Sequence, residues 1–418
     1  MMLWKVMSVL AVMLFTLPGF AQGRIEIVSD SLGSRLTIDG KPFFMKGMNW
    51  DYFPIGTNYS YSLWEQSDDI VKTALEREMT LLKEMGVNVI RQYNTIPPRW
   101  IQYIYETYGI YTMINHSFGR YGLTINGTWY GNTDYCREDV RELLLNEVDN
   151  FVKTYQGTPG VLMYLLGNEN NYGLFWTGAE SEDLPVGENL HDRRARCLYE
   201  LLNEATLRIK AVDASVPVAI CNGDLQFLDM IADKCKAIDV LGVNSYRGDS
   251  FDVLFRTVKE KISKPLVLTE FGADAYNVVT QQEAQLEQAE ILLNNWQEIY
   301  LNAAGMGESG NCIGGFTFQF SDGWWKFGQT TRLDVHDNHA SWKNGGYKFD
   351  FVPGENNMNE EWFGICAKGQ PDSKGLYQLM PRKAYAALSM IHRIDHYRST
   401  PVTIAQSFDR VRKQIRNN

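Results

Sequence analysis

The sequence predicts an α/β fold, a single (β/α)8 barrel with a short N-terminal β-hairpin and long loops on the face where its strands end. Two observations carry that prediction. From Phe43 onward, short β-branched or aromatic runs alternate with segments of helical period through eight units, the pattern of parallel strands joined by crossover helices. Several of these runs end in polar or charged residues, as expected where strand ends gather at one open face.

In chain order, residues 1–21 carry Lys5, an apolar run, a Pro-Gly bend and the small residues Gly19 and Ala21. This reads as a secretory signal cleaved after Ala21, which places the mature chain outside the cytoplasm or in a periplasm. Residues 22–42 alternate apolar and polar around a Gly-containing turn and read as a hairpin set at the barrel floor. Residues 43–398 form the barrel, with strands expected at 43–49, 87–93, 110–116, 161–169, 216–222, 239–246, 265–271 and 314–320. Amphipathic segments such as TALEREMTLLKEMG lie between them, and MPRKAYAALSMIHRI supplies the eighth helix. Residues 399–418 are left as a C-terminal tail. The insert from Asp322 to Gly375 follows the last strand and is rich in Trp, Asn, Asp and Gly; with Tyr121 to Asp134 and Asn171 to Gly187 it is expected over a cleft.

Composition narrows the partner. A formal charge of −10 disfavours nucleic-acid backbones and anionic membranes, and no later stretch is apolar for long enough to span a bilayer. Aromatic content of 13% with 11 Trp suits a neutral sugar, which binds against aromatic faces. Six Cys are scattered without CxxC or Cys/His clustering, so no zinc motif is visible, and neither a metal nor an organic cofactor is expected. Disulfide pairing and oligomeric state stay open.

Glu169 closes the apolar run VLMYLLGNE and Glu270 closes PLVLTEFG, so each acid stands where a buried strand reaches the open face. The fourth and seventh strands lie across the barrel mouth from each other. Two carboxyls about 5–5.5 Å apart can cleave a glycosidic bond with retention, one protonating the leaving oxygen and the other attacking the anomeric carbon. Their proximity, with one in a less solvated setting, separates their proton affinities into one acid and one nucleophile.

The paired LGNE and LTEFG resemble the retaining glycoside hydrolases of clan A, which place an Asn-Glu acid/base on the fourth strand and a Glu nucleophile on the seventh. KPFFMKGMNW, GVNVIRQYNT, LLGNENN, DVLGVNSYRG, KPLVLTEFGADA and PRKAYAAL look most similar to the catalytic TIM barrel of family 2 and its relatives. The resemblance implies Glu169 as general acid/base, Glu270 as nucleophile, Arg91 orienting that nucleophile, Asn168 binding the sugar 2-hydroxyl and Tyr246 hydrogen-bonding Glu270. The segment GMNWDYFPIG has no His where family 2 galactosidases and glucuronidases carry a His-rich loop, and Phe318 stands where many clan members have a strand-end Trp. GGFTFQFSDGWWK looks more like bacterial β-glucan hydrolases and glucanosyltransferases.

Trp324 and Trp325 with Asp322 are therefore candidate sugar contacts, as are Trp50 and Asp51 past the first strand, Tyr93 and Asn94 past the second, and His116 at the end of the third. The expected activity is double-displacement hydrolysis of a neutral β-linked oligo- or polysaccharide, a β-glucan first. A β-glucan transglycosylase, a β-mannan or β-galactoside hydrolase, and a catalytically silent carbohydrate-binding barrel are the other readings.

Overall fold

The computed structural model describes residues 23–93, 95–175, 189–326, 328–339, 351–352 and 358–417; the signal segment and Asn94 lie outside the described residues. The N-terminal segment is a three-stranded antiparallel sheet of β1 (Ile25–Asp30), β2 (Gly33–Ile38) and β3 (Lys41–Phe43), one strand more than the expected hairpin. Asp39 and Gly40 take positive φ of 52° and 72°, and this tight turn sends Lys41–Phe43 back along β2.

The strands that follow are β4 (Met45–Asn49), β5 (Val89–Gln92) and β6 (Tyr111–His116), the hairpin β7 (Leu123–Ile125) and β8 (Thr128–Tyr130), then β9 (Val161–Leu166), β10 (Val218–Gly223), β11 (Val240–Asn244) and β12 (Leu266–Phe271). A short pair, β13 (Tyr276–Asn277) and β14 (Gln282–Glu283), precedes β15 (Cys312–Thr317), and a final hairpin is β16 (Cys366–Pro371) with β17 (Tyr377–Pro381). Eight of these close a parallel barrel in the order β4-β5-β6-β9-β10-β11-β12-β15, so all eight strands expected from the sequence are present. Around it lie α1 (Asp68–Met85), α2 (Pro98–Tyr108), α3 (Glu138–Tyr155), α4 (Leu190–Val212), α5 (Leu228–Lys234), α6 (Leu254–Lys261), α7 (Gln285–Leu301), α8 (Lys383–Ile391) and α9 (Pro401–Asn417). The segment expected as a tail is therefore mostly helix, because Ile404, Phe408, Val411 and Ile415 recur at helical spacing and bury one stripe among the buried side chains of the outer core, which include those of α7 and α8.

Strand alternation divides the apolar side chains into two layers. Met45, Val89, Met113, Met163, Leu165, Ala219, Val240, Val267 and Ile313 fill the barrel interior, where Ile25 and Leu36 of the N-terminal sheet join them and plug the floor. Met48, Ile90, Ile114, Tyr164, Ile220 and Leu241 face outward against the helices. A disulfide joins Cys136, just before α3, to Cys197 in α4, while Cys221, Cys235, Cys312 and Cys366 are buried free thiols. Among the described residues no helix is long and apolar enough to cross a membrane.

Candidate active site

The same alternation that fills the barrel with aliphatics changes chemistry one step from the mouth. Asn49, Arg91, Asn115, Cys221 and Asn244 each follow an inward-facing position on their strands by two residues, so they continue the interior column as a polar layer. Arg91, fully buried, organises that layer. Its Nε and Nη2 donate to Asn115 Oδ1 at 3.0 and 2.8 Å, Nη2 also to Asn168 Oδ1 at 2.8 Å, and Nη1 to the Thr269 carbonyl at 3.1 Å and to Glu270 Oε1 at 2.9 Å.

Glu270, on β12 and only 6% exposed, receives more than this guanidinium. Tyr93 Oη donates to the same oxygen at 2.5 Å, and Tyr246 Oη donates to Oε2 at 2.9 Å. Both carboxylate oxygens are thus held by charge-assisted hydrogen bonds, which fix the group far more tightly than a solvated strand-end Glu. Phe318 stands edge-on to both phenols, with ring centroids 6.3 and 6.2 Å away, and Phe363 from the long insert closes against Tyr246 at 5.6 Å.

Glu169 sits just past β9 on a tight tip, with Gly167 at φ 82° and Glu169 itself at φ 57°, a left-handed conformation that non-glycine residues rarely hold without surrounding support. The support comes from its neighbours. Asn168 Oδ1 accepts from Arg91 and, at 3.0 Å, from Asn244 Nδ2, and Asn244 Nδ2 also donates to Glu169 Oε1 at 3.1 Å. Burial, and then the negative charge of Glu270, push the Glu169 carboxyl up to about 7, against the opposing pull of Arg120, Asn244 and Arg91. A carboxyl that keeps its proton near neutrality beside one pinned by Arg91 is the pairing that acid/base work with a separate nucleophile requires.

Arg91, Asn168, Tyr246 and Tyr93 therefore converge on the two carboxyls. Asp51 lies beside them: burial raises its carboxyl to about 7 against the charges of Arg91 and Lys368, and among the described residues its buried Oδ1 has no hydrogen-bond partner. The remaining candidates go elsewhere. Alternation turns His116 outward from Asn115, so its ring packs on Phe151, accepts the Phe118 N–H at Nδ1 (3.2 Å) and lies 3.6 Å from Glu147 of α3; burial lowers it to about 4. Trp50 likewise turns outward from Asn49 and donates from Nε1 to Glu78 Oε2 at 2.5 Å in the helix layer. Asp322 is taken by Arg382 through two 2.7 Å bonds and by the Gly364 N–H at 3.1 Å, which leaves it a structural ion pair rather than a sugar acceptor. Trp324 stacks on His336 at 4.8 Å, and Trp325 packs with Phe53 and Tyr59, both within the loop layer.

Sequence reasoning passed over Asn49, Asn115, Asn244 and Tyr121. The first three were marked by the same two-residue step that marks Arg91. Tyr121, whose Oη accepts from Asn168 Nδ2 at 2.8 Å, comes from a loop and carried no periodic signal. Among the described residues no cluster of three or more His, Cys, Asp or Glu could hold a metal ion.

Comparison with known proteins adds the family. The description "Glycosyl hydrolases family 2, TIM barrel domain" matches residues 31–322, more than half of the chain. No curated protein matches. Among solved structures the chain is similar to Bacteroides uniformis beta-glucuronidase 2 covalently bound to cyclophellitol-6-carboxylate aziridine, at 12% identity and a TM-score of 0.55, covering 89% of this chain and 37% of that one. It is also similar to a beta-glucuronidase of an uncultured Clostridium sp. (16%, TM-score 0.52, 89% and 53%) and to the beta-D-glucuronidase of Dictyoglomus thermophilum (15%, 0.51, 90% and 55%). At these identities the likeness is one of fold, and the chain spans between about a third and just over half the length of these three proteins.

Proposed function

This chain belongs to the glycosyl hydrolases of family 2 through its TIM barrel domain, and we propose that it is a secreted, retaining β-glycoside hydrolase acting on a neutral β-linked glycan, a β-glucan first. The observation that carries the reading is the asymmetry of the two carboxyls: Glu270 held on both oxygens by Arg91, Tyr93 and Tyr246, and Glu169 raised to about 7 nearby.

In the first step Glu270 attacks the anomeric carbon, the bond to the leaving oxygen breaks, and Glu169 delivers its proton to that oxygen. The product is a glycosyl ester on Glu270. Glu169, now a carboxylate, takes a proton from water, whose oxygen attacks the same carbon and releases Glu270. Arg91 and the two phenols hold the nucleophile on target through both displacements, and Asn168, its carbonyl oxygen fixed by Arg91 and Asn244, presents its amide N–H to the sugar 2-hydroxyl.

The Cys136–Cys197 disulfide supports an oxidising compartment, as does the N-terminal signal segment. The missing His after the first strand and the net charge of −10 favour a neutral glucan over a glucuronide. Product release is measured from β-glucans, mannan, xylan and aryl β-glycosides with wild type, Glu270→Ala and Glu169→Ala. Cleavage of a β-glucan that vanishes in Glu270→Ala is expected; turnover surviving that change would remove the nucleophile assignment, and cleavage of mannan or xylan alone would replace the substrate.

A further inference from the structure

The residues on either side of Glu169 grip one surface feature. Asn168 Nδ2 donates to Tyr121 Oη at 2.8 Å. Asn170 Nδ2 donates to the carbonyls of Ser117 and Phe118 at 3.2 and 2.8 Å and to Tyr135 Oη at 2.7 Å, at the two roots of the segment that runs out from β6 and back toward α3. Thr133 Oγ1 ties the same segment across to the Gly119 carbonyl at 2.5 Å. The β7–β8 hairpin is therefore clamped to the tip that carries the acid/base, and its position relative to Glu169 is fixed by the protein rather than by solvent.

What that hairpin displays is aromatic. Trp129 is 63% exposed, Tyr121 40% and Tyr130 36%. A Cβ at Gly122 would meet the Trp129 six-membered ring at 2.6 Å, so the glycine, at φ 92°, lets the edge of the indole approach the backbone next to Tyr121. Three exposed rings gathered on one short segment mark a surface suited to a ligand. Here the surface is continuous with the catalytic centre through the Tyr121–Asn168 contact. Its occupant must combine flat apolar faces with hydroxyls and lie in covalent continuity with the residue held at Glu270. A further sugar of the same chain meets each of those requirements.

We propose that Tyr121 and Trp129 form a sugar-binding subsite beyond the one at Glu169 and Glu270, so that the substrate is a β-linked chain of several sugars rather than a single glycoside. Trp129 stacks on a pyranose face, and Tyr121 passes hydrogen bonds between Asn168 and the bound chain. The proposal rests on the β-glycoside hydrolase reading, and its test is built not to depend on turnover.

Laminaritetraose and cellotetraose are titrated into the Glu270→Gln chain, with and without Trp129→Ala, following binding by calorimetry, with thermal melting as a control on folding. Loss of one stacking ring raises Kd about tenfold for the better tetrasaccharide, and Trp129→Phe restores most of it. An unchanged Kd in Trp129→Ala, or no binding of either tetrasaccharide to the Glu270→Gln chain, would overturn the subsite. The hydrolase reading fails separately, if the wild-type chain releases no product from any glycan or aryl glycoside.

Discussion

Glu270 on β12 and Asp322 in the loop after β15 are both nearly inaccessible carboxylates facing a buried arginine, at 6% and 1% exposure. Around Asp322 the partners are an arginine, a backbone N–H and the His336 ring, whose Nε2 lies 3.8 Å from Oδ2. Arg382 meets it with two parallel bonds and also donates to Glu283 and the Gly364 carbonyl, while the Gly364 N–H returns to Asp322. Around Glu270 the donors are an arginine and two phenols, and within reach of its charge stands a second carboxyl, Glu169, that burial keeps protonated near neutrality. Buried charge alone therefore does not mark chemistry. A second carboxyl beside the first, pushed up by burial and by its neighbour's charge, does.

The comparison breaks most visibly if Glu270→Gln retains activity. The expected loss is about 10⁴-fold in kcat/KM, with melting little changed because the amide keeps the shape; a loss under tenfold would make Glu270 another structural carboxylate. Asp322→Ala should act on the other side. Leaving Arg382 buried without its partner costs about 3–5 kcal/mol and lowers Tm by about 5 °C, while kcat/KM of the folded enzyme at 25 °C stays within about threefold. Lost turnover with unchanged melting would return Asp322 to the sugar.

A finer test uses pH. Glu169 must carry its proton in the first displacement, so kcat/KM falls as pH rises through about 7. Asn244→Ala removes a donor that favours the charged form, so the limb should move to higher pH; a downward movement would contradict the assignment. The smallest effect is expected at His116, whose ring faces α3: His116→Phe changes kcat/KM by no more than about twofold, and a larger drop would put the ring back at the substrate.

The barrel was legible because hydrophobic alternation and helical period are local properties, and every strand run overlapped a strand. Glu169, Glu270 and Arg91 stood out as charges at the ends of apolar runs. Direction was also local, yet it was passed over: two-step counting from the interior residues turns Asn49 and Asn115 inward and Trp50 and His116 outward. The Asp322–Arg382 pair was not legible, because its partners are 60 residues apart and meet only through the fold of the insert. Tyr121 was hidden for the same reason: a loop has no period from which to infer where a side chain points.

The floor plug also has a consequence for how the chain folds. Met45 to Met48 of β4 pair with Gly314 to Thr317 of β15, and the turn after β1 is held to Gly305 and Gly310 through the Leu32 carbonyl and the Ser34 N–H. The first strands made thus wait for nearly the last. During synthesis β4 keeps an open edge until β15 emerges, and only then do the ring close and the N-terminal sheet seal it from below. A chain stalled before Cys312 exposes that edge and an unsealed interior together, a state prone to self-association.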